Sequence, residues 1–324
     1  MRNQRPRKNQ NAPRPDLAAR FLLPTRRGDV FLTEVHDLVS KAEVLLEALP
    51  FLQRYRGRTF VIKYGGSFMD SPDSAARDGV ARDIVFLAAA GIRPVVVHGG
   101  GKAITRAMEM AGLKARFVQG MRVTDQATAE VVERVLSREI NPEIAATINR
   151  LGGNARGLSG TAVFKSRRLC LEADGQKLDA GFLGEVASVR VKPVRKCLDA
   201  GAIPVCSPTA LGADGRIYNC NADVAAAQMA IALRACRLIF MSDVPGVLRD
   251  PEDVSSVISH LRVAEVEPLK KSGIIDKGMI PKADSAVKAL QAGVDKVSLV
   301  DGRVPHSILL EIFTNEGIGT ELVP

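Results

Sequence analysis

Tryptophan is absent from this chain of 324 residues, and aromatic residues together make up 4% of it. The three tyrosines are not interleaved with basic residues, so the folded part carries no footprint for nucleic acid. The five cysteines, Cys170, Cys197, Cys206, Cys220 and Cys236, are odd in number, widely spaced and without a Cys-x-x-Cys pair. That pattern excludes a disulfide framework and a zinc site and suits small buried residues in a reducing compartment. No apolar run approaches the roughly 20 residues needed to cross a bilayer, and the N-terminus lacks the apolar core of a secretory signal. It is rich in arginine and poor in acids, as organelle transit peptides are, but contains no serine. The expectation is a cytoplasmic protein without a membrane partner.

Hydrophobic residues at 46% and charged residues at 25% are ordinary for a globular chain long enough for one large or two moderate domains. The net charge of +9 is concentrated at one end. Residues 1–28 carry eight Lys and Arg against the single acid Asp16, net +7, which leaves +2 for everything else. Residues 1–29 therefore read as a basic, disordered tail. From residue 30 to 56, Val35, Leu38, Val39, Ala42, Leu45, Leu46, Leu49 and Leu52 recur at helical spacing. Thr33 is a suitable N-cap, and Pro50 should kink or break this helix near its end.

Strands and helices then alternate. Thr59–Tyr64, Arg93–His98, Ile203–Ser207, Arg237–Met241 and Lys296–Val300 read as strands. Ser74–Ala90, Lys102–Gly112, Ala222–Leu233, Lys282–Gln291 and His306–Phe313 read as helices, with two more around Ala127–Arg138 and Pro142–Leu151. Ala162–Val191 alternates like hairpins. The fold class is α/β, a mostly parallel central sheet covered by helices. The boundaries place one lobe at 57–234 and a second at 235–324.

Ligands in such sheets sit beyond the carboxyl ends of the strands. Two glycine loops lie there: Gly65-Gly66 after Lys63, and Gly99-Gly100-Gly101 after His98. Side-chain-free loops opening a helix let backbone N–H groups reach an anion. The Walker pattern fails, because Ala103 follows Gly101-Lys102, and the dinucleotide fingerprint fails at Ile104. Lys282 stands at a helix start, where the dipole disfavours a cation unless an anion binds. Lys63 sits inside an apolar strand. Two lysines beside two glycine loops suit phosphoryl transfer, which needs positioning and charge neutralisation more than acid–base groups. Asp223, in Asn219-Cys220-Asn221-Ala222-Asp223, is placed either to favour a helix dipole or to pair with both lysines. His98 reads as a strand-end histidine bonded to backbone. A carboxylate nucleophile, ionised well below neutral pH, needs no base.

These residues belong to ordered motifs. Lys63-Tyr64-Gly65-Gly66, His98-Gly99-Gly100-Gly101, Met121-Arg122-Val123-Thr124-Asp125, Tyr218 through Asp223, Ser242-Asp243-Val244-Pro245-Gly246-Val247 and Gly278-Met279-Ile280-Pro281-Lys282 occur in the order found in the amino-acid kinase superfamily. From about Val30 onward the chain resembles its acetylglutamate kinase family, in the arginine-sensitive type with an N-terminal helix. The resemblance implies transfer of the γ-phosphoryl group of ATP to the side-chain carboxylate of N-acetyl-L-glutamate in arginine biosynthesis. Lys63 and Lys282 would stabilise the group in transit and Asp223 would hold both. Gly65, Gly66 and Gly99 would face phosphate, and Gly99, Gly100, Arg122 and Asn219 the acceptor. Ser242, Asp243, Gly246, Gly278 and Met279 would line the ATP site, with Mg²⁺ held mainly by the nucleotide and no cluster of metal ligands. L-Arginine would bind near Glu311, Gly317 and Ser298, the last standing where many arginine-sensitive bacterial members have histidine.

In the arginine-sensitive type, pairs of N-terminal helices interlace to join three dimers into a hexamer, and a PII-type signalling protein is a possible further partner. Ser67-Phe68 and Thr161-Ala162-Val163 depart from Asn-Ala and Lys-Asp-Gly of many relatives and bear on acceptor specificity. Two readings compete. Another superfamily kinase would act on an aminoadipyl, aspartyl, carbamate or UMP acceptor, and Arg122 within Arg-Val-Thr-Asp and the N-terminal helix count against most of these. A non-catalytic arginine-binding regulator would have no need of Lys63, Asp223 and Lys282.

Overall fold

A computed structural model describes residues 27–66, 69, 74–118, 120–173 and 176–324. Most of the expected basic tail, residues 1–26 of it, and the Ser67-Phe68 departure lie outside the described residues. Helix α1 (Arg27–Tyr55) precedes β1 (Thr59–Tyr64), α2 (Ser74–Ala89), β2 (Arg93–His98) and α3 (Gly101–Met110). A short hairpin, β3 (Phe117–Val118) and β4 (Met121–Arg122), leads into α4 (Gln126–Glu133), a π-helical stretch Arg134–Ile140, and α5 (Asn141–Arg150). Next come β5 (Ala155–Leu158), α6 (Gly160–Val163), the long strands β6 (Phe164–Ala173) and β7 (Gln176–Val189), α7 (Val191–Asp199) and β8 (Ile203–Cys206). After β9 (Thr209–Gly212) and β10 (Ile217–Cys220) follow α8 (Ala222–Leu233), β11 (Arg237–Ser242), β12 (His260–Arg262), α9 (Val263–Lys271) and α10 (Ile280–Gln291). The last elements are β13 (Lys296–Asp301), α11 (Ser307–Phe313) and β14 (Thr320–Val323).

Eight strands form one sheet in the order β12-β14-β13-β11-β1-β2-β8-β5. Every neighbouring pair is parallel except β13 with β14. This is the expected mostly parallel α/β sheet. The chain leaves β1 toward β2 and later returns on its other side with β11, so β1 lies where the strand order reverses. The expected hairpin region is a four-stranded closed barrel, in which β9 and β10 join β6 and β7.

Alternation along the strands separates two cores. Phe60, Ile62 and Tyr64 pack with Val80, Ile84 and Leu87 of α2, Ile144 and Ile148 of α5, and Ile308 and Ile312 of α11. Val61 packs instead with the alanines of α8 and with Ala283, Ala286 and Ala289 of α10. Lys63 has the parity of Val61, so the period of two sends its side chain toward α8 and α10.

Three boundaries differ from expectation. Helix α1 begins at Arg27, nearly two turns before Thr33, and continues through Pro50 to Tyr55 instead of breaking. A proline removes a single i to i−4 bond, and its neighbours' bonds suffice here. The two helices expected around 127–151 are joined by the π-helical stretch. Pro142, at the first turn of α5, lacks the N–H that continuous α-helix would need, and one extra residue per turn absorbs the defect. The described residues divide between Glu47 and Ala48 into two compact units; the sheet, barrel and cavities belong to the second.

Candidate active site

Helix α8 starts where β10 ends. The Asn221 side chain accepts hydrogen bonds from the N–H groups of Asp223 at 2.8 Å and Val224 at 3.2 Å, an N-cap that aims Asp223 back over the sheet. Helix α10 packs on α8 and brings Lys282, its third residue, to the same point. Lys282 Nζ donates to Asp223 Oδ2 at 2.7 Å, and Lys63 Nζ lies 3.3 Å from Oδ1. Lys63 and Asp223 are 8% and 6% exposed. Burial pushes the Asp223 carboxyl up, but Lys63 and Lys282 outweigh it and hold the group below its ordinary value. Burial and, more weakly, Lys282 lower the Lys63 ammonium against the opposing pull of Asp223. The Asp223 direction follows from two cations sharing one carboxylate, that of Lys63 chiefly from burial.

Two cavities meet at this cluster. The first, about 370 Å³, is lined by Lys63, Gly65, Gly66, Gly99, Gly100, Gly101, Arg122, Asn219 and Asp223. The second, about 380 Å³, is lined by Lys63, Gly66, Ser242, Asp243, Gly246, Gly278, Met279 and Lys282. Lys63 belongs to both walls, and Lys282 to the second alone. Gly66 has φ +136°, a conformation that favours glycine. A Cβ on Gly100 would lie 2.5 Å from Ile140 Cδ1 and 2.7 Å from Leu136 Cδ2, so no side chain fits between the loop and the π-helical stretch. Gly99 behaves differently from the expectation that its N–H faces phosphate. That N–H donates to Tyr64 O at 2.8 Å and ties the two glycine loops together. Gly100 and Gly101, at the first turn of α3, have no carbonyl of their own helix to bond and are the better placed donors.

Arg122 is 6% exposed. Its Nη2 donates to Gly101 O at 3.0 Å and Thr105 Oγ1 at 2.8 Å, and its guanidinium lies 4.7 Å from the centre of the Phe117 ring. Among the described residues it pairs with no carboxylate. Burial lowers its pKa, which marks a charge that an anionic ligand would stabilise. Asn219 closes the far side and donates to Thr124 Oγ1 at 3.3 Å. His98 is wholly buried, bonded to Gly99 O, and its pKa is pushed down to about 4 by burial. It is a neutral structural residue.

The remaining sequence candidates gather elsewhere. Glu311 and Gly317 line a cavity of about 190 Å³ with Arg54, Tyr55, Arg237 and Glu321. Glu311 Oε2 accepts from the N–H groups of Ile318 at 3.1 Å and Gly319 at 3.2 Å. Ser298 is fully buried in β13 and is not on that wall; its hydroxyl accepts from Arg237 at 3.4 Å. Arg237 also donates to Glu321 at 2.7 Å and lies 3.8 Å from Glu311. Sequence reasoning missed Arg237 because it opens a strand like any surface residue. It missed Asn221 too, although an asparagine two residues before an acid at a helix start is a readable cap. Among the described residues no three His, Cys, Asp or Glu side chains converge on a metal position.

Two cavities that share a buried lysine suit the passing of a charged group between two bound molecules, and the amino acid kinase family profile matches residues 58–301. Relatives narrow the class. An acetylglutamate kinase of Thermoanaerobacter pseudethanolicus is 46% identical over 284 residues, 88% of this chain and 93% of that protein. One of Archaeoglobus fulgidus is 46% identical over 292 residues, 88% of this chain and all of that protein. The structure of Neisseria gonorrhoeae N-acetylglutamate synthase complexed with coenzyme A and N-acetyl-glutamate superposes with a TM-score of 0.76 at 25% identity, covering 87% of this chain and 63% of that one. The chain belongs to the amino acid kinase family, and within it to the acetylglutamate kinases.

Proposed function

We propose that this kinase transfers the γ-phosphoryl group of ATP to the side-chain carboxylate of N-acetyl-L-glutamate in arginine biosynthesis, in the cytoplasm. The observation that carries the reading is the Lys63–Asp223–Lys282 cluster at the meeting of two cavities, one of which holds the guanidinium of Arg122, which pairs with no carboxylate among the described residues. Residues 57–234 form the acceptor lobe and residues 235–324 the nucleotide lobe.

Arg122 takes the α-carboxylate of the acceptor through its fork of donors, and Asn219 binds beside it. Gly65, Gly100 and Gly101 receive the acceptor side of the phosphoryl group, and Gly66, which lines both cavities, the nucleotide side. Ser242, Asp243, Gly246, Gly278 and Met279 enclose the nucleotide. The ionised acceptor oxygen forms its bond to the γ-phosphorus as the bond to the bridging oxygen of ADP breaks, leaving an acyl phosphate. Lys63 touches both cavities and neutralises charge on the group throughout; Lys282 does so from the ADP side. Asp223 keeps the two ammonium groups apart and aimed. No side chain need take a proton, in keeping with a buried, neutral His98. Among the described residues the acids lining the cavities are Asp223, Asp243 and Asp276, and Asp223 is committed to two lysines. Mg²⁺ held mainly by the nucleotide phosphates fits that donor set and supplies further charge neutralisation.

L-Arginine acts as a feedback inhibitor in the cavity of Glu311, Gly317, Glu321 and Tyr55, three of whose walls carry acids or an aromatic ring suited to a guanidinium. Helix α1 joins dimers into a hexamer. Leu38, Val39, Val44, Leu45, Leu46 and Leu49 are 43–69% exposed along it, an apolar stripe that requires a partner. ADP release measured against a panel of acceptors and titrated with arginine tests substrate and regulation together. Activity only with a non-acetylated acceptor would refute the substrate. Deleting residues 1–47 should yield a dimer that responds weakly to arginine, and an unchanged hexamer in sedimentation would remove the assembly role.

A further inference from the structure

We infer that Asn141 is a positioning residue for phosphoryl transfer, which locks His98 in its neutral Nδ1–H tautomer so that the imidazole fixes the Gly99–Gly100 peptide; this rests on the kinase reading above. His98 ends β2 immediately before the triple glycine and is fully buried. Its Nδ1 lies 2.8 Å from Gly99 O. A carbonyl only accepts, so Nδ1 carries the proton. Its Nε2 lies 3.3 Å from Asn141 Nδ2, whose other hydrogen goes to Val205 O at 2.8 Å. An amide nitrogen only donates, so Nε2 must present its lone pair. Both ring nitrogens are thereby assigned, and the ring is neutral.

The bond to Val205 O fixes which way the Asn141 amide faces, since turning it would set two oxygens against each other. Asn141 is 3% exposed, and its Oδ1 lies where a Cβ on Gly157 would approach to 2.2 Å. The residue stands at the junction of the π-helical stretch with α5. That stretch also sets Leu136 and Ile140 under Gly100 and hangs Ser137 Oγ on Ser207 Oγ at 3.0 Å. π-Helical turns are frequent at functional sites.

The consequence is carried by one planar peptide. Gly99 C=O and Gly100 N–H belong to the same trans unit and point in opposite directions. Drawing Gly99 O inward to His98 turns the Gly100 N–H outward, and Gly100 lines the acceptor cavity. Asn141 thus orients a phosphate donor that it never touches.

Ring-¹⁵N-labelled histidine tests the inference, because the chain holds four histidines. In the wild-type enzyme the His98 ring, assigned by its loss in His98→Gln and so told apart from His306, whose Nδ1 also faces an acceptor, Asp83 Oδ1 at 2.6 Å, is expected to have a protonated Nδ1 and a bare Nε2 at neutral pH, and an imidazolium or Nε2–H ring at His98 would overturn the proposal outright. In Asn141→Asp the donor to Nε2 is lost. Nε2 should then carry the proton and Nδ1 be left bare, losing its bond to Gly99 O, and kcat should fall roughly tenfold to a hundredfold, as for small misplacements of catalytic groups, with the KM for ATP and acceptor nearly unchanged. A stability loss with kcat and the ¹⁵N shifts unaltered would reduce Asn141 to a packing residue. The wild-type spectrum decides even if that variant fails to fold. Failure of the kinase reading would show separately, as a wild-type enzyme that releases no ADP with N-acetylglutamate.

Discussion

Replacing Asp223 by asparagine preserves the shape of the cluster and removes its only negative charge. The side chains of Lys63, Lys282 and Asp223 are 11%, 17% and 9% exposed. At that burial, removing one partner of an ion pair costs about 3–5 kcal/mol. Part of this is avoided because Lys63, whose pKa burial already lowers, can release its proton. A net loss of about 2–4 kcal/mol in stability is therefore expected. The effect on catalysis is larger. Loss of one preorganised donor costs about 10²–10³ in kcat, and Asp223→Asn misdirects two, so a fall of about 10³ is expected. The pH profile supplies a second readout. Transfer needs the Lys63 ammonium, so activity is present at lower pH and is lost as pH rises through the folded pKa of Lys63. Asp223 raises that pKa; removing it must move the alkaline limb to lower pH. Coupled ADP release across pH, with thermal unfolding in parallel, measures all three. A kcat close to wild type with an unmoved alkaline limb would refute the argument.

Other expectations follow from the same geometry. Arg122→Ala should raise the acceptor KM about 10- to 150-fold, the range of a lost hydrogen bond to a charged group, and Arg122→Lys should not restore it, since an ammonium cannot reproduce the planar fork. An acceptor KM near wild type in steady-state kinetics would remove Arg122 from the site. Gly100→Ala should cost about 1–3 kcal/mol through overpacking against Ile140 and Leu136, with kcat falling as the loop shifts. Adding Ile140→Val, which removes the Cδ1 atom 2.5 Å from the new Cβ, should recover part of both losses. His98 should contribute to acid instability. Its folded pKa of about 4 lies below its ordinary 6.5, so the unfolded chain takes the proton first. Its stabilisation is complete above pH 6.5 and is lost as pH falls toward 4, roughly 3 kcal/mol at 1.4 kcal/mol per pH unit. Denaturant unfolding at pH 7 and 4.5 checks the loss, which His98→Gln should reduce.

Much of the fold was legible because local patterns and tertiary demands agree. Strands buried on both faces read as apolar runs, and β1, β2, β11 and β13 lie within a residue or so of their expected bounds. The strands not anticipated are short or peripheral. β5, β9, β10, β12 and β14 have 3 or 4 residues each, too few for a period to declare itself. Most pair with strands far away in the chain, as when β10 closes the barrel against β7. Pro142 signalled a break between helices, but only packing of Leu136 and Ile140 under the glycine loop converted the break into a π-helical stretch.

For the site, residue types and spacing determined the chemistry: two lysines, an acid at a helix start and two glycine loops at strand ends specify an anion in transit. The tertiary structure decided who meets whom. It placed one carboxylate between Lys63 and Lys282, 219 positions apart in sequence. It also gave the Gly99 N–H to Tyr64 and withdrew Ser298 from the cavity of Glu311. The division has a physical cause. Backbone propensity and periodicity act over a few residues and can be read along the chain, whereas burial, partner and protonation state depend on groups that only the folded sheet brings within 4 Å.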